Sequence, residues 1–195
     1  MSTTVPSICV YCGSRQGANA VYSVRARELG QAIGERGWQL VYGGGNVGLM
    51  GVVADAVIAA GGRVVGVIPE SLMRREVGHR GLHELLVVPN MHVRKQMMAE
   101  RADAFVALPG GIGTLEELYE VWTWQQLGYH DKPIALLNVA GYFDTLLQFM
   151  RSTVDEGFLS QEQFGVLQVE DDPLRLLQRL ERTMRRGGVD DYSKV

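Results

Sequence analysis

The sequence predicts an α/β fold: one parallel β-sheet of about six or seven strands with helices on both faces. Three observations predict it. Short runs rich in Val, Ile and Leu alternate with longer stretches of helical spacing. These runs are apolar at successive positions, which marks strands buried on both faces. Glycine-rich turns follow several of the runs, and in such sheets ligands bind outside the C-terminal ends of the strands.

Taken in order, residues 7–12 are a first apolar run with a polar exit at Gly13 and Ser14. Residues 19–36 carry Val21, Ala26, Leu29, Ala32 and Ile33 at helical spacing, and Gly37 ends that helix. Residues 38–42 are a second strand running into Gly43, Gly44 and Gly45. The chain then passes through Gly48-Leu49-Met50-Gly51 into a small-residue helix that reaches Ala60 and closes at Gly61-Gly62. Residues 63–68 are a third strand, stopped by Pro69. Residues 70–81 are polar and arginine-rich without a clear period and read as a loop with at most a turn of helix. Residues 85–88 are a fourth strand, stopped by Pro89, and residues 91–101 are helical. Residues 104–108 are the fifth strand, 114–127 the helix after it and 133–138 the sixth strand. Residues 143–156 are helical, 166–169 a last short strand and 173–186 a closing amphipathic helix. The tail after Gly187 is expected to be loose. No linker, repeat or low-complexity stretch divides the chain, so a single domain over residues 1–195 is expected. This order of elements describes a Rossmann-like, doubly wound sheet.

The bulk composition bounds the function. At 195 residues and 46% hydrophobic content, the chain can build a sizeable core. A formal net charge of -3 gives no reason to expect a nucleic-acid partner. Sixteen of the nineteen Lys and Arg residues are arginine, which suits carboxylate and phosphate contacts but equally a solvated surface. There is no basic-then-apolar leader, and no apolar run approaches about 18 residues. The expectation is a cytoplasmic protein with no membrane partner. Cys9 and Cys12 are spaced C-x-x-C, but on a strand they would point to opposite faces. A thioredoxin-type pair opens a helix, and a structural zinc needs four ligands, so no redox or metal role is expected. Gly81, between His79 and His83, argues against a helix presenting both to a metal.

The chemistry concentrates in Leu108-Pro109-Gly110-Gly111-Ile112-Gly113-Thr114-Leu115-Glu116-Glu117. A strand that breaks at Pro-Gly-Gly and restarts as a helix leaves backbone N–H groups bare at the helix N-terminus. Those groups and the helix dipole attract an anion. Glycines let a phosphate approach the main chain with no Cβ in the way. Gly43 to Gly48 also fit G-x-G-x-x-G, but no acidic ribose ligand stands near Arg63, and neither glycine loop continues into G-K-[ST]. A nucleoside phosphate is therefore favoured over NAD or ATP hydrolysis. Ser14, Gly44 and Gly45, at the ends of the first two strands, can converge on the same crevice. Glu117 has two readings. Thr114 and Glu117 form a T-x-x-E capping box, or the Glu117 carboxylate faces the crevice and stabilises positive charge at a sugar carbon or orients a water. Arg94 and Lys95, opening the helix after the fourth strand, can reach an anion there or lie on a solvated face.

Pro109 to Glu117 matches the signature P-G-G-x-G-T-x-x-E and resembles the LONELY GUY (LOG) phosphoribohydrolases. The resemblance also takes in Cys12-Gly13-Ser14, Gly43-Gly44-Gly45, Gly48-Leu49-Met50-Gly51 and Met91-His92-Val93-Arg94-Lys95. It implies hydrolysis of the N-glycosidic bond of a cytokinin riboside 5′-monophosphate, giving free base and ribose 5-phosphate, by a homodimer without a cofactor. It implies Arg94 and Glu117 as the catalytic pair. Glu76, Lys95, Gly110, Gly111, Ile112, Gly113, Thr114, Leu115, Glu116 and Thr123 are its substrate contacts. Members have been labelled lysine decarboxylases, but none of the three lysines here sits in a His-Lys pyridoxal phosphate pattern. Two alternatives stay open: a nucleosidase for AMP or other nucleoside 5′-monophosphates, and a non-catalytic nucleotide or cofactor carrier. A prenyl pocket would be lined by apolar side chains such as Met97, Met98 or Trp124, which read equally well as core.

Overall fold

The computed structural model describes residues 5–73, 78–184 and 190–192. Among the described residues the strands and α-helices follow one another as β1 (Ser7–Tyr11), α1 (Val21–Glu35), β2 (Gln39–Tyr42), α2 (Gly48–Ala59), β3 (Arg63–Pro69), α3 (Glu70–Met73), β4 (Glu84–Val88), α4 (Met91–Glu100), β5 (Ala104–Ala107), α5 (Ile112–Gln126), β6 (Ile134–Leu137), α6 (Asp144–Asp155), α7 (Gln161–Phe164), β7 (Leu167–Glu170) and α8 (Pro173–Thr183). The strands form one seven-stranded sheet in the order β4-β3-β2-β1-β5-β6-β7. Every pairing is parallel. The predicted α/β class and Rossmann-like sheet are therefore observed.

Alternation along each strand sorts side chains between two cores. Ile8, Val10 and Cys12 pack with α1, α2 and α8 on one face. Cys9 and Tyr11 pack with α4, α5 and α6 on the other. The two cysteines thus occupy opposite faces as their spacing required, and burial pushes both thiols up, away from the reactive thiolate. The strand order reverses between β1 and β5. The chain leaves β1 toward one face and β5 toward the other, so their exits splay apart into a crevice.

Several boundaries differ from the expected ones for local reasons. Pro69 is the last residue of β3, in register with Val88, because a strand end tolerates a missing N–H. Helix α5 begins two residues earlier than its polar start suggested, at Ile112. The described part of the tail is packed rather than loose. Tyr192 is buried, with its ring 5.8 Å from Trp124 and 5.0 Å from the Lys132 ammonium. Asp190 pairs with Lys132 at 2.7 Å. Lys132 is itself buried, and a buried ammonium needs a counter-charge. Among the described residues no helix is long and apolar enough to cross a membrane, and no group of three or more His, Cys, Asp or Glu is arranged to hold a metal ion.

Candidate active site

The crevice is built from two interlocked turns. The Gly13 N–H donates to the Pro109 carbonyl at 3.1 Å, and the Leu49 N–H donates to the Gly13 carbonyl at 3.0 Å. The β1 exit, the β5 exit and the start of α2 are thereby tied together. A cavity of about 250 Å³ opens above them, lined by Cys12, Gly13, Ser14, Met50, Met91, Arg94, Gly111, Ile112, Gly113, Thr114, Glu116 and Glu117.

One wall is the N-terminus of α5. Its N-cap is Gly111, which has no side chain to cap with. The first bond of the helix is Leu115 N–H to the Gly111 carbonyl. Among the described residues, the N–H groups of Gly111, Ile112, Gly113 and Thr114 find no acceptor. Four bare donors at the positive end of a 15-residue helix make an anion seat. A Cβ added at Gly111 or Gly113 would meet nothing within 4 Å. Protein packing therefore does not require glycine at either position, and the open space belongs to the crevice.

The other wall comes from α4. Asn90 caps this helix, its side chain accepting from the Val93 N–H at 2.9 Å. That places Arg94 on the first turn, facing inward and only 8% exposed. Its Nε donates to the Val67 carbonyl at 3.1 Å, at the end of β3. Its Nη2 lies 3.5 Å from Glu117 Oε1. A Cβ at Gly43 would stand 1.9 Å from that same Nη2, so the guanidinium occupies the place a side chain would take. Glu117 is 9% exposed. Burial raises its pKa to about 7, against the opposing pull of Arg94, with Glu116 adding a smaller upward push. A carboxyl poised near neutrality beside a guanidinium can lend negative charge or accept a proton.

The sequence-derived residues fall into three groups. Arg94, Glu117, Ser14, Gly111, Ile112, Gly113, Thr114 and Glu116 line one cavity. Gly110 lines the neighbouring cavity, which Ser14, Gly111 and Ile112 also border. Lys95, Leu115, Gly44, Gly45 and Thr123 lie outside both. Lys95 is held by Glu116 at 2.5 Å and Glu120 at 2.8 Å. Burial pulls its pKa down, but those two carboxylates outweigh it and hold the ammonium protonated more firmly than usual. Leu115 packs into the core. Gly44 is buried against Ile68 and Leu85, and Gly45 makes an isolated bridge to Gly78. Thr123 is exposed, nine residues along α5 from Thr114 and so about 13 Å away. Glu76 lies outside the described residues. Met98 and Trp124 belong to the core, and the crevice takes its thioether lining from Met50 and Met91 instead.

The capping-box reading of Glu117 is corrected by the geometry. With Gly111 as N-cap, Thr114 is the third helical residue and Glu117 the sixth. The Glu117 carboxylate cannot return to a cap a turn and a half behind it. Sequence reasoning missed Gly43 as the glycine that admits Arg94, although it had the right loop. Asn90, a standard N-cap before a helical run, was a readable signal for where Arg94 points.

Fold and site together define a class: a Rossmann-like α/β protein with an anion seat beside a buried carboxylate–guanidinium pair. A family model described as "Possible lysine decarboxylase" matches residues 50–180. The "Probable cytokinin riboside 5'-monophosphate phosphoribohydrolase LOGL6" of Oryza sativa subsp. japonica is 51% identical over 174 residues, which is 89% of this chain and 70% of that one. The "Cytokinin riboside 5'-monophosphate phosphoribohydrolase LOG1" of Arabidopsis thaliana is 49% identical over 174 residues, 89% of this chain and 82% of that one. A solved structure, the molybdenum cofactor binding protein of Rippkaea orientalis, superposes with a TM-score of 0.74 at 23% identity, covering 94% of this chain and all of that one. That last likeness concerns the fold alone. The chain belongs to the LOG family. The decarboxylase description finds no support in the described lysines: Lys95 is bound to two carboxylates, and Lys132 is pinned to the Ala99 carbonyl and Asp190.

Proposed function

We propose that this protein hydrolyses the N-glycosidic bond of a cytokinin riboside 5′-monophosphate, an N6-substituted adenine nucleotide, to free base and ribose 5-phosphate. The observation that carries the reading is the buried Arg94–Glu117 pair, 3.5 Å apart beside the bare N–H groups of α5. It occurs in a chain about half identical to proteins named for this reaction.

The chemistry follows from charge. A 5′-phosphate seated on the α5 N-terminus and Ser14 leaves the ribose over Glu117. As the bond from C1′ to the base nitrogen breaks, its electron pair leaves with the base and positive charge develops at C1′. The ionised Glu117 stabilises that charge. Water bonds to C1′, and its proton passes to Glu117 and on to the leaving base. Arg94 holds the carboxylate in place and faces the sugar. Glu116, and Lys95 through its bond to Glu116, serve as outer substrate contacts. The reaction needs no metal or redox cofactor. The same reading has the chain acting as one domain over residues 1–195, in the cytoplasm and as a homodimer. Phe149, 62% exposed, and Phe158, 87% exposed, offer apolar surface for a second copy.

The test is to incubate purified protein with isopentenyladenine riboside 5′-monophosphate and, separately, with AMP, and to measure released base. Base from the prenylated nucleotide, at higher kcat/KM than from AMP, is the expected result. A preference for AMP moves the assignment to the general nucleosidase. Saturable nucleotide binding with no base from either substrate overturns the enzyme reading in favour of a carrier.

A further inference from the structure

The loop after β6 reaches back to the glycine turn through a single side chain. The Tyr142 hydroxyl donates to the Gly110 carbonyl at 2.5 Å. The turn that presents Tyr142 is firmly determined. Ala140 sits at φ 50° and Gly141 at φ 71°, and a left-handed alanine persists only where its surroundings impose it. Here Asn138 imposes it: its Oδ1 accepts from the Phe143 N–H at 2.7 Å and its Nδ2 donates to Asp144 at 2.7 Å. Phe143 is buried. The Tyr142 ring is then held edge-on between Tyr22, at 5.6 Å, and Phe143, at 5.1 Å.

Among the described residues the Gly110 carbonyl has no other hydrogen-bond partner. Helix α5 takes the Gly111 carbonyl as its first acceptor, and among the described residues no backbone N–H donates to Gly110. Among the described residues, the peptide unit between Gly110 and Gly111 is therefore tied down only by Tyr142. It lies between two glycines, where a half-turn of the peptide plane meets the least steric resistance. In a trans peptide the C=O and N–H point opposite ways. Tyr142 approaches from the side of the neighbouring cavity of about 570 Å³. The Gly111 N–H is thereby turned away from Tyr142, and Gly111 borders both that cavity and the Arg94–Glu117 crevice. A half-turn would bring the carbonyl oxygen to that side and repel an anion.

We propose that Tyr142 is a positioning residue for the anion seat: by holding the Gly110 carbonyl, its hydroxyl keeps the Gly111 N–H aimed at the substrate's 5′-phosphate. This rests on the activity proposed above and names a residue that activity leaves out. Tyr142 does not line the Arg94–Glu117 crevice. It acts through one peptide plane, so its effect falls on phosphate binding rather than on bond cleavage.

The experiment measures ribose 5-phosphate and inorganic phosphate binding by calorimetry, which needs no turnover, together with kcat, KM and Tm. In Tyr142→Phe the ring keeps its packing and loses only the donor. Ribose 5-phosphate affinity is expected to fall roughly 3–10-fold, the scale of one net hydrogen bond. KM should rise by the same factor, with kcat within about twofold and Tm unchanged. Tyr22→Phe, which removes a hydroxyl from the adjoining ring, should change none of these. Equal ribose 5-phosphate affinity in Tyr142→Phe and wild type overturns the proposal. So does a fall in kcat with KM unchanged, a Tm loss that accompanies the weaker binding, or a wild-type protein that binds neither anion. Tyr142-dependent binding in a protein that releases no base sinks the activity and leaves the positioning role standing.

Discussion

Replacing Glu117 by Gln should make the protein more stable and less active, with the stability gain depending on pH. The unfolded Glu117 carboxyl titrates near 4.5, and burial raises it to about 7 in the folded chain, even with Arg94 opposing. The sign follows from proton binding. Below about pH 4.5 the group is protonated in both states and costs nothing. As pH rises from 4.5 to 7 the unfolded chain ionises while the folded chain retains its proton, so folding loses stability. Above 7 the full penalty applies: about 2.5 units, or roughly 3 kcal/mol. Glutamine has nearly the shape of the protonated acid and carries no charge, so Glu117→Gln escapes the penalty. For a chain of this size that is a Tm gain of roughly 6–12 °C at pH 8, shrinking toward pH 5. Thermal unfolding of both proteins at the two pH values measures it. Over the same substitution kcat should fall about 10²–10³-fold, the scale of one preorganised charge-stabilising group. A lower Tm for Glu117→Gln at pH 8 would refute the reasoning, because Arg94 would then depend on the carboxylate more than the carboxylate suffers from burial. An offset that is the same at pH 5 and pH 8 would refute it too.

Three further substitutions separate fold from site. Gly43→Ala places a methyl 1.9 Å from the present position of Arg94 Nη2. The guanidinium should swing away at little cost in Tm, and kcat/KM should fall on the order of 10²-fold, as for other small displacements of a reacting group. Gly110→Ala would put its Cβ 2.1 Å from Thr114 Oγ1 and 2.8 Å from the Gly13 nitrogen. Overpacking of that kind costs about 1–3 kcal/mol, read as a Tm loss of several degrees. Gly111→Ala meets no protein atom within 4 Å, so Tm should hold while ribose 5-phosphate affinity falls on the order of tenfold. Equal Tm losses in Gly110→Ala and Gly111→Ala would mean that the space above Gly111 is not a ligand's.

The fold was legible because its signals are local and repeated. Apolar runs such as Ile8 to Val10 and Ile134 to Leu137 announce strands buried on both faces, and glycine or Asn-type breaks separate them from helices. Within the site, Arg94, Glu117, Ser14 and the α5 turn could be assembled from strand-end logic and the family signature. What escaped was set by contacts between distant segments. Gly44 and Gly45 looked equivalent to Gly43, but only Gly43 faces Arg94, across the gap from β2 to α4. Lys95 looked as free as Arg94, yet one step around α4 carries it to Glu116 and Glu120 on another helix. Tyr142 carried no motif at all, and its hydroxyl acquires a role only through a turn 32 residues from the glycine it holds. The packed tail was hidden for the same reason: Lys132 is an ordinary lysine until burial obliges Asp190 and Tyr192 to cover it.

The two-residue difference in where α5 begins links these points. A helix opening at Thr114 would have spent Glu117 on its own cap and satisfied its first N–H groups internally. Opening instead at Ile112, after a glycine with no side chain, α5 satisfies none of them and carries Glu117 a turn and a half inside. Both consequences fall on one side of the helix. The bare N–H groups become available to an anion, and the carboxylate becomes buried against Arg94, where burial raises its pKa into the working range. The loss of a cap, ordinarily about 1 kcal/mol, is the local cost of the arrangement. An anion filling the seat would supply the missing cap, so a phosphate bound there would at the same time complete the α5 N-terminus.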